Sequence, residues 1–496
     1  MQLRPSVEKS EQVVKGPFEM NAANVDHAVI IAAGSGARFG KATHLCPKPM
    51  LEVLGIPLIL RTIYTAQKAG IRNFTVITGY HAEMLEAFLH KQQFRNITVR
   101  CVRNDKWQRP NGLSALAAQG EVPERFALLM ADHLFDAEIL RKMLARPLLR
   151  GHCRLAVDYR ISNILDLQDA TKVKVEAAHI TDIGKQLQSY NAIDTGIFLC
   201  SDALFDALET SVARGRESLS DGIRELARRG AMEVEDCGSG FWQDVDNERD
   251  LEMGEKRLLA TLVSKTDSWL TRKINRQISL AVTRRLAWRR IKPNQITVFN
   301  FALGLGGAAC MLTGHYWGPV LGALLFLLSS ILDGCDGEIA RLKFQQSRAG
   351  AWLDVSTDNV THLALFLCMT IGLMRASGSP LYALPGGLLV VGALSSFVLS
   401  IVGHKALDRD QGPIFSSSRL QDMPQSEDHS RLALWLDRLA NRDFAYLIVM
   451  LALLDRLEWF LWLAGLGAPV FGFLLYRAIA GNNITKLANG AVQLRY

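Results

Sequence analysis

The feature that most constrains this chain is an abrupt change of solvent preference near residue 296. Beyond it run six apolar stretches: ITVFNFALGLGGAACML, VLGALLFLLSSIL, VTHLALFLCMTIGLM, LPGGLLVVGALSSFVLSIV, FAYLIVMLALL and WFLWLAGLGAPVFGFLLY. Each approaches the roughly 20 residues that cross a bilayer, the shorter ones with help from their flanks. Six such runs in so short a stretch read as membrane spans rather than as the buried helices of a water-soluble core. From His27 to about Val263 the pattern differs. HAVIIAAG, PLILRTIYTAQKAG, NFTVITGY and EMLEAFLHK alternate as strand, helix, strand, helix, the spacing of a parallel α/β sheet in water.

The 496 residues are too many for one core, which fits this division. The charge balance, 56 − 49 = +7, is too mild to indicate a nucleic-acid partner. Eight cysteines without a C-x-x-C pair indicate neither a zinc ribbon nor a disulfide scaffold, and fit a reducing compartment. The first residues carry charge without an apolar run, so 1–25 is expected to be a flexible tail and not a secretory signal. The segment 264–292 joins the halves. From Lys265 to Lys292 it holds nine Lys and Arg against one acid, Asp267, with Trp269, Leu270, Ile274, Ile278, Ala281, Val282 and Leu286 at helical spacing. It is expected to form a basic amphipathic helix in the headgroup plane. Basic residues also follow spans two and four, so both termini and the soluble half are expected on the cytoplasmic side of the inner (plasma) membrane. The expected organisation is therefore a tail, a soluble domain over 26–263, an interfacial helix over 264–292 and a six-helix membrane domain over 293–496.

In the soluble half, the strand Ala28–Ala32 runs into Ala33-Gly34-Ser35-Gly36-Ala37-Arg38-Phe39-Gly40. Glycines after a buried strand let backbone amides approach phosphates. The spacing is neither the dinucleotide fingerprint nor a P-loop. Arg38 and Lys48, the latter within Pro47-Lys48-Pro49, add two cations for a triphosphate. Asp132 follows a buried strand, and Asp244 and Asp246 offer further carboxylates, so a divalent cation can be held by hard oxygen donors. The residues leave Asp244 and Asp246 open as alternatives. These motifs resemble the sugar-phosphate nucleotidyltransferase family, whose A-A-G-x-G-x-R and P-K-P stand at 32–38 and 47–49. The resemblance implies a mixed-sheet, Rossmann-like fold, with nucleotide at Ala33, Gly34, Ser35 and Gly36. It also implies catalytic Arg38 and Lys48, metal at Asp132 with Asp246 or Asp244, and acceptor phosphate at Lys185 beside Thr195-Gly196.

In the membrane half, Asp333 and Asp336 share one helix face at i, i+3, and Asp354 and Asp358 share another at i, i+4. Four carboxylates beside membrane spans repel one another unless cations sit among them, and a two-metal site clamping a pyrophosphate is the natural chemistry. The run Asp333-x₂-Asp336-Gly337-x₂-Ala340-Arg341-x₈-Gly350-x₃-Asp354-x₃-Asp358 resembles the CDP-alcohol phosphotransferase signature at every position. That resemblance implies metal at Asp333, Asp336, Asp354 and Asp358, and Asp358 as the base. It also places the CDP moiety at Gly337, Ala340 and Arg341, the approach segment at Lys292-Pro293-Asn294 with Thr297, and acceptor phosphate at Arg409 and Arg442 with Asp443.

A nucleotidyltransferase ahead of a consumer of CDP-alcohols implies successive steps. The order resembles the bifunctional inositol-1-phosphate cytidylyltransferase and di-inositol-phosphate phosphate synthase family. The expected reactions transfer CMP from CTP to a polyol phosphate, best inositol 1-phosphate, and then the polyol phosphate to a second alcohol with release of CMP. A second inositol 1-phosphate is the expected acceptor. A lipid acceptor, another nucleotide, or one silent regulatory half stand as alternatives. Mg²⁺ or Mn²⁺ as cofactor, membrane lipids as surroundings and a homodimer are also expected, with no nucleic acid.

Overall fold

The computed structural model describes residues 25–40, 43, 46–164, 166–263, 271–313, 315–407 and 443–493. The chain divides into two compact units: 1–52 with 57–254, and 53–56 with 255–496. The expected tail and the arginines 409 and 442 lie outside the described residues.

The strands are β1 (His27–Ile31), β2 (Glu52–Val53), β3 (Ile56–Pro57), β4 (Asn73–Thr78), β5 (Thr98–Arg103), β6 (Arg125–Met130), β7 (His133–Phe135), β8 (Cys153–Asp158), β9 (Lys172–Glu176), β10 (His179–Gly184), β11 (Ala192–Ser201), β12 (Met232–Asp236) and β13 (Trp242–Asp244). Nine form one sheet in the order β5-β4-β1-β6-β11-β8-β12-β10-β9. The half containing β5, β4, β1 and β6 is parallel, as the alternating pattern predicts. The sheet as a whole is mixed, because β11 returns antiparallel to β6 and β8. Its interior follows from the sequence: Val29, Leu128, Leu155 and Phe198 are fully buried within a single apolar cluster.

The helices of this unit are α1 (Leu58–Ala69), α2 (Ala82–His90), α3 (Gly112–Leu116), α4 (Ala137–Ala145), α5 (Ala203–Ala213) and α6 (Leu219–Arg228). Their stops are local. In α1, Gly70 at φ +120° turns the chain and donates its N–H to the carbonyls of Ala66 and Gln67. Helix α6 opens on a reciprocal Ser218–Asp221 capping box. A short pairing of β13 with β7 sets Asp244 opposite His133.

Helix α7 (Glu248–Thr261) crosses the boundary between the units. The second unit then holds α8 (Arg276–Ala287), α9 (Pro293–Cys310), α10 (Trp317–Leu332), α11 (Gly334–Leu342), α12 (Arg348–Ser377), α13 (Ala383–Leu407), α14 (Phe444–Leu453) and α15 (Leu457–Gln493). Each of the six apolar runs is helical. Three helices among the described residues are long and apolar enough to cross a membrane: Trp317–Leu342, Arg348–Ser377 and Leu457–Leu474. Close crossings depend on small residues, as expected where lipid offers no hydrophobic drive. A Cβ added at Gly322 would lie 2.6 Å from the Gly307 carbonyl oxygen. The unit's core gathers Phe326, Phe366, Ile448 and Phe460, while Phe299, Leu463 and Phe473 point outward.

The linker helix carries a buried polar stripe opposite its apolar one. Trp269 and Leu270 lie outside the described residues, and Thr271–Asn275 forms a single π-helical turn ahead of α8. The buried face of this helix is Asn275, Ser279, Thr283 and Ala287, while Ile274 and Ile278 are 38% and 41% exposed. The apolar stripe is present, but it points away from the protein and the polar stripe points in.

Candidate active sites

In the first unit, the glycine turn leaves the end of β1 at the carboxyl edge of the parallel half, the usual place for ligands in such sheets. Gly36 sits at φ +61°, and a Cβ there would stand 2.7 Å from the Cβ of Lys48, so this turn and Lys48 fit only because the side chain is missing. Gly34 has open space above it. Pro47 holds an extended backbone ahead of the turn Lys48–Met50, directing the lysine inward, where it is 7% exposed.

Lys48 Nζ donates to Asp132 and to Asp246, each at 2.7 Å. Arg38 donates to Asp246 at 2.5 Å and also pairs with Asp169. Lys185 Nζ donates to the other side of Asp169 at 2.8 Å. Three cations singled out in the sequence thus converge on three carboxylates. Ala33 and Ser35 sit in the same turn as Gly34 and Gly36. A cleft of ≈ 280 Å³ is lined by Gly34, Gly36, Arg38, Lys48, Asp132 and Asp246.

Burial opposes the charge on Lys48, but Asp132, Asp246 and Asp244 outweigh it and hold the ammonium well above its ordinary range. Burial likewise opposes ionisation of Asp132, and Lys48 with His133 overrides it, keeping the carboxyl well below its usual value. Around Asp169, burial is outweighed by the hydrogen bonds from Lys185 and Arg38, which bring it down to about 2. Asp244 is different: burial pushes it up to about 7 against the pull of His133.

Asp132, His133 and Asp244 can bring one ligand atom each within 4.8 Å of one another. Burial opposes the imidazolium of His133, but Asp244, Asp132 and Asp194 raise it to about 9. A cationic imidazole repels a metal ion, and its Nδ1 already meets Asp132 at 3.0 Å. Asp246 lines the cleft, whereas Oδ1 of Asp244 is buried and without a hydrogen-bond partner.

One expectation needs correction. Thr195 does not line the acceptor cleft, since its side chain is fully buried and its hydroxyl donates to the Ala156 carbonyl at 2.7 Å. Gly196, at φ +73°, packs against His133, where a Cβ would meet Nε2 at 2.8 Å.

In the second unit, Asp333, Asp354 and Asp358 can bring one oxygen each within 4.8 Å of one another. Asp336 stands beside this trio on α11, 6% exposed, and accepts from the Thr297 hydroxyl at 2.5 Å. Asn300, one turn further along α9, donates to Asp333 at 3.4 Å. Asp354 Oδ1 is buried with no hydrogen-bond partner. An all-oxygen donor set with an orphaned buried carboxylate oxygen suits a hard divalent cation. A Cβ at Gly337 would lie 3.2 Å from the Arg341 guanidinium, so the glycine leaves that side of α11 open beside the arginine. Ala340 is the other small residue of this segment, half-buried. Asn294 reaches Gly350, where a Cβ would lie 3.1 Å from its Oδ1, so the first turn of α9 meets the start of α12. Asp443 is described and accepts from Thr271 at 3.4 Å.

Residues 28–161 match the MobA-like NTP transferase domain, and residues 290–424 match the CDP-alcohol phosphatidyltransferase family. The Aquifex aeolicus protein named "Bifunctional IPC transferase and DIPP synthase" is 33% identical over 70% of this chain and 78% of its own. The Rubrobacter xylanophilus protein of the same name is 35% identical over 73% of this chain and 81% of its own. The chain belongs to the bifunctional IPC transferase and DIPP synthase family. It is a transferase with two enzymatic domains, a nucleotidyltransferase and a CDP-alcohol phosphotransferase. Families of this kind work on small phosphorylated substrates with divalent metal, and the three long apolar helices associate the chain with a membrane. Among solved structures, the inositol-1-phosphate CTP transferase from T. maritima is 26% identical with a TM-score of 0.42, covering 47% of this chain and 96% of its own.

The sequence did not single out His133, Asp169, Asn300 or Glu338. His133 adjoins Asp132 and was within reach of a closer reading. Asp169 lies in a loop with no motif, and only the fold brings it between residues 131 positions before it and 16 after.

Proposed function

We propose that the first unit transfers CMP from CTP to inositol 1-phosphate, and that the second transfers inositol phosphate from CDP-inositol to a second inositol 1-phosphate, releasing CMP. The observation that carries this is the pair of carboxylate clusters. One is interlaced with three cations at a glycine turn, and the other is spaced as the CDP-alcohol motif requires. The names of the Aquifex and Rubrobacter relatives support the order of steps.

In the first step, an oxygen of the inositol phosphate attacks the α-phosphorus of CTP, and the bond to pyrophosphate breaks. Backbone amides of Ala33, Gly34, Ser35 and Gly36 receive the phosphates. Arg38 and Lys48 neutralise charge that builds toward the leaving pyrophosphate, and Lys185 holds the acceptor phosphate. In the second step, an acceptor hydroxyl attacks the phosphorus bound to inositol, and Asp358 takes its proton as CMP leaves. Gly337, Ala340 and Arg341 receive the CDP moiety, with Arg409 and Arg442 for the acceptor phosphate. A divalent cation, Mg²⁺ before Mn²⁺, would be held by Asp132 with Asp246, and by Asp333, Asp336, Asp354 and Asp358, and would supply charge neutralisation at phosphate oxygens. Asp246 is preferred to Asp244 because it lines the cleft and faces both cations.

The working organisation keeps a soluble domain to residue 263, an interfacial segment over 264–292, and six spans from 293, with both sites on the cytoplasmic side of the inner membrane. The outward Ile274 and Ile278 support lipid contact by the linker, and the outward Phe299 and Leu463 support it for the spans. A homodimer completes the reading and is checked by the mass of the detergent-solubilised particle.

The test is mass spectrometry of the full chain in detergent with CTP, Mg²⁺ and inositol 1-phosphate. CDP-inositol followed by CMP and a water-soluble di-inositol phosphodiester is expected. Turnover only with a different polyol phosphate, or a product that partitions into organic solvent, contradicts the substrate assignment.

A further inference from the structure

Helix α11 carries a third acid, Glu338, that the phosphotransfer motif leaves undefined, and it is fully buried. It lies two residues past Asp336, about 200° around the helix, and so on the opposite face from that aspartate. Both of its oxygens are occupied from α8. Arg276 and the Ser279 hydroxyl donate to Oε1, each at 2.8 Å, and the Thr283 hydroxyl donates to Oε2 at 2.7 Å. These donors stand at i, i+3 and i+7, one stripe of α8, and Ser279 and Thr283 are almost wholly buried.

The neighbours on α11 are shaped for the same contact. A Cβ at Gly334 would lie 2.8 Å from the Arg276 guanidinium, and the Cys335 thiol faces the Ser279 carbonyl at 3.6 Å. On the other side of α11, Thr297 and Asn300 of α9 hold Asp336 and Asp333. The short helix is thus gripped from behind by α8 and from in front by α9. A fully buried carboxylate is costly unless every lone pair is met, and here the donors come from a helix outside the motif.

We infer that Glu338 is a positioning residue for the phosphotransfer site: through Arg276, Ser279 and Thr283 it fixes the rotation of α11, and with it the aim of Asp333 and Asp336. This rests on the reading of the aspartates as the metal cluster. It also assigns the linker helix a task beyond tethering, and explains why its polar stripe is turned inward.

The test uses the full chain in detergent and measures both steps separately, the second from supplied CDP-inositol. Glu338→Ala should lower the second-step kcat about tenfold or more and raise the half-saturating Mg²⁺ concentration severalfold, as loss of a ligand-orienting partner does. The first step should stay within about twofold. Thr283→Val keeps the shape and removes one donor, so it should show the same signature at smaller size. The inference is overturned if Glu338→Ala leaves the Mg²⁺ dependence unchanged. It is also overturned if both steps fall together with the unfolding temperature, or if a stably folded Thr283→Val has wild-type Mg²⁺ dependence. Asp358→Asn run in parallel should cut the second step by about 10³-fold. Its survival would show that the cluster reading itself is wrong, and the inference would fall with it.

Discussion

The two carboxylate clusters solve the same electrostatic problem in opposite ways. In the first unit the chain supplies its own counter-charges: Lys48 lies between Asp132 and Asp246, Arg38 and Lys185 hold Asp169, and His133 meets Asp132. In the second, the Thr297 hydroxyl meets Asp336, the Asn300 amide meets Asp333, Arg341 stands near enough to act on Asp336 and Asp354, and Asp354 Oδ1 is buried without a hydrogen-bond partner. The first site is balanced before any ligand arrives, so its ligands compete with internal ion pairs. The second packs four carboxylates beside the one arginine of its motif, Arg341, and a bound cation relieves the like-charge repulsion among them.

The largest expected effect separates the two sites outright. Asp358→Asn should cut the second step by about 10³-fold, within the range for loss of a general base, while CDP-inositol formation stays unchanged. Equal loss of both steps would break the comparison. Lys48→Ala should cut the first step by about 10²-fold and destabilise that unit by about 1 kcal/mol, because two half-buried carboxylates lose their shared cation. CMP release from supplied CDP-inositol should not move.

A smaller effect sharpens the contrast in charge. With divalent metal chelated, Asp354→Asn should stabilise the second unit by about 1 kcal/mol, on the scale of one relieved like-charge contact. Asp132→Asn should not stabilise the first, since Lys48 and His133 already balance that carboxylate. Thermal unfolding followed separately for each unit checks both, and stabilisation by Asp132→Asn would contradict the account. The smallest effect concerns Asp169, which sits where Arg38 and Lys185 would meet phosphates. Asp169→Asn should lower KM for inositol 1-phosphate about threefold by freeing Lys185 from an exposed ion pair, an interaction of modest strength. A raised KM would mean that Asp169 orients Lys185 instead of competing for it.

Much of this was legible in the chain. The four aspartates at 333, 336, 354 and 358 have a spacing that only matching helix faces explain, and the structure brings three of them together. Arg38, Lys48, Asp132 and Asp246 were also readable, because each follows a buried strand or a proline-fixed turn. What escaped were contacts set by long-range packing. Glu338 meets partners 55 to 62 residues away, and no local pattern marks it. The Thr195 hydroxyl turned inward because β11 is buried on both faces, a consequence of the mixed sheet that strand alternation alone does not disclose. The apolar stripe of the linker helix was legible, whereas the buried acid met by its polar stripe was not. An apolar stripe in water predicts which side is buried, but beside membrane spans the same stripe can face outward while the polar stripe meets a buried charge.

The most direct test of two independent sites on one chain is product analysis of Lys48→Ala and Asp358→Asn, assayed separately and then mixed, with CTP, Mg²⁺ and inositol 1-phosphate. The account predicts about 10²-fold less product from Lys48→Ala than from the wild type, CDP-inositol alone from Asp358→Asn, and CMP with the di-inositol phosphodiester restored in the mixture. Phosphodiester from Asp358→Asn alone would contradict it, as would failure of the mixture when Lys48→Ala still turns over supplied CDP-inositol.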